Sequence, residues 1–190
     1  MEALALDPGE YRGTYKLIGG RLSLNFVNTV SWPDTARQHD WFDSTENVVQ
    51  WLKAVRLPGR DLNSADLAAV VSLRATLTAV LRPIAHDKRP AKIAVDRLNE
   101  YLVRAHAKRV IDPLTLSWTW KSPKTAVDLL GPVLLDAAAL ITSGLRGRLR
   151  YCPSCDWLFE DQTRNGMRRW CDMADCGSRD KANRYYHRSR

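Results

Sequence analysis

Four cysteines constrain this 190-residue chain more than any other feature: Cys152, Cys155, Cys171 and Cys176 are its full complement, and all fall in the last 40 residues. They form a C-x2-C pair and a C-x4-C pair separated by fifteen residues. Thiolates are soft, charged donors, and two close pairs on a short loop suit a tetrahedral zinc site that takes two ligands from each. Four such donors close the coordination sphere and leave no place for a reactive water, so the spacing predicts one structural Zn2+ and not a catalytic one. Two disulfides, a C-x-x-C redox pair and a chance cluster are the alternatives. Disulfides need an oxidising compartment, and the acidic N-terminus lacks a signal-peptide apolar run. A redox pair would open a helix after a βαβ unit, whereas Cys152 and Cys155 bracket Pro153-Ser154 late in the chain. A segment of about 40 residues buries little, and structural zinc contributes about 10–16 kcal/mol in isolated fingers. Without metal the segment is expected to be disordered.

The length allows one ordinary domain plus a small appendage, and 45% hydrophobic residues allow a real core. No uninterrupted apolar run reaches membrane-spanning length, so no membrane partner is expected; free thiols without a secretion signal or anchor motif point to the cytoplasm. The formal charge is +8, nearer about +6 once four thiolates and one zinc are included. Its distribution is uneven. Residues 1–143 hold 18 Lys/Arg against 15 Asp/Glu, and residues 144–190 hold 11 against 6. That balance fits a polyanion-binding tail, although an Arg:Lys ratio of 21 to 8 is equally a mark of genome composition.

Hydrophobic periodicity predicts a mainly helical body. Residues 1–13 read as a loose arm, and residues 15–27 as a hairpin or a strand entering a helix, with Leu22, Phe26 and Val30 also sharing a helical face. Asp43 and Glu46 form a capping-box pattern for a helix to about Val55. Asn63 and Asp66 open a stronger helix, which Pro83 is expected to end; Arg74 interrupts its apolar stripe and is expected to snorkel or pair with an acid. A further helix follows Pro90. Alternation over Leu114, Leu116, Trp118 and Trp120 predicts a half-buried strand. Ser122-Pro123 caps a last helix that Gly131-Pro132 should kink or split. In the tail, a hairpin should carry Cys152 and Cys155, Asn165-Gly166 should form a turn, Gly177 should permit close approach to the metal, and Ser178 or Asp180 should cap a terminal helix. The class is α+β: a mostly helical part over 1–145 with a small β element, then a four-cysteine module over 146–190 built from a β-hairpin and a C-terminal helix.

The stretch Cys-x-x-Cys-Asp-Trp-Leu-Phe-x-Asp-x-Thr-Arg-Asn-x-x-Arg-Arg-Trp-Cys-x-Met-x-x-Cys-Gly-Ser-Arg-x-Lys (residues 152–181) closely resembles the CGNR zinc finger. Leu-x-Gly-Gly-x-Leu-x-Leu-Asn-Phe-Val-Asn-Thr (residues 17–29) is similar to the ABATE domain that accompanies that finger in bacteria. The resemblance implies a stress-induced bacterial transcription regulator whose finger binds DNA. Two positions depart from the pattern: Ser178 stands where the finger's namesake motif has asparagine, and Asn25 where an aspartate is expected.

Lys181, Arg184 and Arg188 share one face of the predicted terminal helix, and Arg164, Arg168 and Arg169 form a second cluster between the cysteine pairs. These six are the nucleic-acid-binding candidates; they would contact phosphates, with Asn165 and Asn183 within reach of base edges. Arg179, three residues from a ligand, is the candidate to neutralise the zinc centre from outside its ligand shell. Trp157, Phe159 and Trp170 read as the module's small core. Asn25, Asn28 and Trp32, with His39 and Trp41, are candidates for a small-molecule effector pocket. His39, His86, His106 and His187 are scattered and show no nucleophile or metal-ligand motif, so no enzyme is expected. DNA, an effector and a second copy of the chain are the expected partners, and the alternative is a zinc-stabilised protein-interaction module without direct DNA binding.

Overall fold

The computed structural model describes residues 15–188 apart from Asp34 and Ser122, and the side chains of Leu145, Arg146 and Arg188 also fall outside the description. The arm expected over residues 1–13 and the Ser122 cap therefore lie outside the described residues. In chain order the elements are α1 (Leu22–Val27), β1 (Val30–Ser31), β2 (His39–Asp40), α2 (Thr45–Ala54), α3 (Ser64–Ala85), α4 (Lys92–Lys108), β3 (Arg109–Ile111), β4 (Trp118–Trp120), α5 (Ala126–Leu129) and α6 (Gly131–Thr142). A 3-10 turn (Gly144–Arg148), β5 (Leu149–Tyr151), β6 (Leu158–Glu160), a π turn (Met173–Gly177) and α7 (Ser178–Arg188) complete the chain. Among the described residues the strands form three antiparallel two-stranded hairpins. The architecture is α+β, a helical body followed by a hairpin-and-helix module with its four cysteines close together.

The body is organised around α3. Its N-terminus carries the expected capping box: Asn63 Oδ1 accepts from the Asp66 amide at 3.0 Å, and the Asp66 carboxylate accepts from the Asn63 amide at 3.2 Å. Leu73, Leu77 and Leu81 lie in the core with Leu24, Phe26, Trp51, Leu52, Leu134 and Leu140. Among the described residues α3 is long and apolar enough to cross a bilayer by length and composition; here it is the central core helix. Arg74 at its middle is 4% exposed and forks onto Asp40 of β2, with N–O distances of 2.7 and 2.5 Å, while Nη1 also donates to Thr29 Oγ1 at 2.9 Å. That pairing, expected from its place on an apolar stripe, pins the β1–β2 hairpin to the helix.

Several boundaries differ from the sequence expectation. Residues 22–27 form helix and not strand, which puts Leu24 and Phe26 inside. α2 is capped by Ser44, whose Oγ accepts from the Asn47 amide at 3.2 Å, while Asp43 takes the Asn47 side chain. α3 runs past Pro83 to Ala85, because a proline in the last turn removes a single hydrogen bond; the carbonyls of Arg82 and Pro83 are still capped by the amide of His86. The expected strand over 114–120 is only Trp118–Trp120. Asp112 Oδ1 accepts from the amides of Leu114 and Thr115 at 2.9 and 2.8 Å, folding a turn that leaves Leu114 91% and Leu116 81% exposed. The last body helix is split at Gly131-Pro132 as expected, but Thr125 and Asp128 supply its capping box. Gly131 is required there: a Cβ at this position would lie 2.4 Å from the Trp120 ring.

Candidate metal centre

β5 and β6 hold the first cysteine pair in the turn that joins them. The Cys152 amide donates to the Trp157 carbonyl and the Asp156 amide to the Cys152 carbonyl, both at 2.8 Å, closing a tight knuckle in which Asp156 takes the left-handed conformation (φ +64°). The second pair is set by the loop that returns the chain and by the π turn. Asp161, 1% exposed, accepts from the Thr163 and Arg168 amides at 2.9 and 2.8 Å and from the Thr163 hydroxyl at 2.5 Å. Burial works to raise its carboxyl, but these bonds and the nearby Arg148 charge outweigh it and hold it below the ordinary range. Asp172 caps the π turn by accepting from the Ala174 amide at 2.8 Å. The cap thus falls on Asp172 and not on Ser178 or Asp180, and Ser178 donates its hydroxyl to the Met173 carbonyl instead. The space that Gly177 leaves open is toward Met173 and the Trp170 ring, 3.1–3.2 Å from where a Cβ would stand.

These turns bring the four buried sulfurs within 4.8 Å of one another, with Cys155–Cys171 at 3.5 Å and Cys171–Cys176 at 3.7 Å. Four thiolates around one zinc at about 2.3 Å stand about 3.8 Å apart, whereas a disulfide needs about 2.05 Å. Trp157, Phe159 and Trp170 bury against the sulfurs as the small core. The donor set fits zinc electrostatically as well. Hydrogen bonds from Cys155, Cys171 and Cys176 hold the Cys152 thiol far below its usual range, and the same crowding, led by Cys152, pushes Cys155 and Cys171 up. Four sulfurs this close do not all ionise unaided; a divalent cation lets every one be a thiolate.

The arginines divide into two kinds. Arg168 is turned inward: its Nε donates to the Trp170 carbonyl at 2.9 Å, its Nη2 to the Cys171 carbonyl, and its guanidinium lies 4.8 Å from the Phe159 ring centre. Of the five nucleic-acid candidates whose side chains are described, it is the one whose donors are engaged inside the module. Arg179 places Nη2 3.6 Å from Cys176 Sγ and 2.8 Å from Asp175. Arg164, Arg169, Lys181 and Arg184 are exposed; Arg169 lies over Trp170 and Arg184 pairs with Asp180 at 2.8 Å. Arg188 contributes its backbone to α7, and its side chain lies outside the description.

Each of the three effector-pocket candidates is engaged in hydrogen bonds to the backbone. Asn25 Oδ1 accepts from the Gly19 amide at 2.8 Å, a bond an aspartate would make equally. Asn28 donates its amide to the Leu158 carbonyl and accepts from the Leu158 amide, both at 2.8 Å. Trp32 donates its backbone N–H to the Cys155 carbonyl at 3.4 Å and its indole N–H to the Ser154 carbonyl at 3.1 Å. His39 and Trp41 pack edge to face at 4.1 Å, and the Trp41 indole bonds Ser31. Sequence reasoning saw polar and aromatic side chains in a motif; what it missed is that the partners of Asn28 and Trp32 lie 130 and 122 residues away. A cleft on the body lies between α3 and the β1–β2 hairpin, with Arg74, Thr78, Arg82, His86 and Lys88 on its α3 side.

Residues 20–144 match a family model described as "Putative stress-induced transcription regulator", ABATE. The chain belongs to the ABATE family. A second model, the CGNR zinc finger, matches residues 148–189 directly behind the ABATE segment. A comparison with curated proteins found no match. The CGNR segment contains all four buried cysteines, and it carries one structural zinc on Cys152, Cys155, Cys171 and Cys176. With four thiolates in place this zinc supplies cross-linking and offers no open position for a substrate. Neither matched family is an enzyme family.

Proposed function

We propose that the chain is a DNA-binding transcription regulator of the cytoplasm, in which the finger over 146–190 contacts DNA and the ABATE part over 1–145 senses an effector or dimerises. The observation that carries the reading is the separation of the arginines. Arg168 faces the fold and Arg179 the Cys176 sulfur, while Arg164 and Arg169 on the loop and Lys181 and Arg184 on α7 project into solvent beside a nearly closed metal core. Arg188 extends the same helix. Exposed cations on a rigid, zinc-braced helix suit phosphate contacts, which give affinity that falls steeply with salt. One small module makes few specific contacts, so two copies on a symmetric site fit the reading.

Fluorescence anisotropy of the zinc-loaded chain against random duplex DNA at two salt concentrations tests it. Binding that weakens by orders of magnitude with salt, and that the double change of Lys181 and Arg184 to alanine weakens further, supports it. Absence of binding at low salt would overturn it. A protein-docking reading is favoured by one specific feature: Met167 and Met173, 82% and 64% exposed, line the same concavity as Arg164 and Arg169. A partner held there through apolar contacts would be nearly insensitive to salt.

A further inference from the structure

We infer that residues 16–32 of the body are a working part of the zinc site, so that the finger retains its metal only while this segment is docked on it. Contacts from five body residues, Lys16, Ile18, Gly19, Asn28 and Trp32, carry this. The cluster around the sulfurs (Trp157, Phe159, Trp170 and the cysteines) is closed on its body side by Ile18 and Trp32. β6 pairs with β5 on one edge, and its outward groups are taken by the body: Asn28 clamps both the amide and the carbonyl of Leu158, and the Gly19 carbonyl accepts from the Glu160 amide at 2.9 Å. The knuckle itself is tied at the Ser154 and Cys155 carbonyls by the two N–H groups of Trp32. At the second ligand pair, Lys16 bridges Asp172 and Asp175, the latter at 3.3 Å.

Trp32 shows how strongly the docking is imposed. Its φ of +46° lies in the left-handed region that bulky L-residues avoid, and such a conformation persists where surrounding contacts over-determine it. Here those contacts are the knuckle carbonyls. For the metal to leave, Cys155 must swing out, and its carbonyl is held by a body residue. A metal site built this way is coupled in both directions: zinc holds the segment, and the segment holds the zinc. The inference does not depend on what the finger binds.

The test uses the full zinc-loaded chain and a chromogenic chelator in excess, with metal release followed by absorbance. Asn28→Asp keeps the volume but sets a carboxylate against the buried Leu158 carbonyl, and Trp32→Ala removes the indole tie to the Ser154 carbonyl and the ring that closes the cluster, leaving only the backbone N–H on the knuckle. Each is expected to release zinc faster, on the order of tenfold. Asn99→Asp, on an exposed face of α4, is expected to stay within about twofold of the unmutated chain because surface changes of this kind are nearly neutral. Wild-type release rates in both seam variants, with circular dichroism showing them folded, would overturn the inference. If the variants do not fold, hydrogen exchange on the unmutated chain decides: chelation should strip protection from the Trp32 amide together with Leu158 and Glu160. Loss of protection confined to residues 148–189, with Trp32 still protected, would equally overturn it.

Discussion

The guanidinium of Arg168 lies between the Phe159 ring and the carbonyls of Trp170 and Cys171, one residue from Arg169, which faces solvent. Neighbouring arginines therefore predict opposite phenotypes. Arg168→Ala leaves two partly buried carbonyls without donors and should cost about 2 kcal/mol of stability, seen in urea unfolding, with no change in the salt slope of DNA binding. Arg164→Ala or Lys181→Ala should leave the unfolding midpoint in place and reduce that slope by about 1 each. Asp40→Ala strands the buried Arg74 guanidinium and should cost about 3 kcal/mol, at the lower end for a broken buried pair because Thr29 remains as an acceptor. The composition shows that arginines abound; which of them face solvent is set by where the chain places carbonyls and rings in space.

At the scale of elements, the helices were legible wherever the sequence carries both a cap and a stripe. Asn63 with Asp66 and the run from Val70 to Leu81 made α3 readable because both signals are local, and the Gly131-Pro132 break followed from a ring that cannot donate. The strand over 114–120 was misread because alternation says nothing about whether a partner strand is long enough; β3 offers only three residues, and Asp112 turns the chain before Leu116 can pair. Trp120 packs on Gly131 across α5, so Gly131→Ala should force that ring away and cost about 2 kcal/mol, with a change in tryptophan fluorescence as the check. The tie between residue 16 and the π turn has a defined pH window. Burial opposes both shifts, but the hydrogen bond and charge between the partners outweigh it, leaving Lys16 raised and Asp172 lowered. A lowered acid contributes stability above its unfolded value and loses it on acidification, and a raised base contributes below its unfolded value and loses it at alkaline pH. The stability difference between the unmutated chain and Lys16→Met should therefore be flat from about pH 5 to pH 9, begin to shrink as pH falls below about 4, and vanish only below the lowered value of Asp172 in the folded chain.

At the scale of the whole molecule, the finger is less an appendage than the far side of the body's core. Leu149 and Leu158 belong to the same buried cluster as α1, α3 and α6, Arg82 pairs with Asp156, and His86 stacks on Tyr151 at 3.8 Å. A shared core predicts shared unfolding. Calorimetry of the chelated protein should show one transition moved to lower temperature; an unshifted body transition beside an absent finger would mean that the two parts melt independently. To the expectation that the last 40 residues are disordered without metal, the proposed docking adds a second requirement, the body segment over residues 16–32.

The metal centre was readable from the chain alone because ligand chemistry is a property of residue type and spacing: two close cysteine pairs on one short segment allow few other arrangements. The helical body was readable for the same reason, its caps and stripes being written within four residues of each other. The meaning of Asn25, Asn28 and Trp32 was not, since a polar side chain in a motif has the same local signature whether it meets a ligand or a backbone. Only folding brings β6 against residues 19–32, and a contact between positions about 130 apart leaves no periodicity behind for a single sequence to reveal.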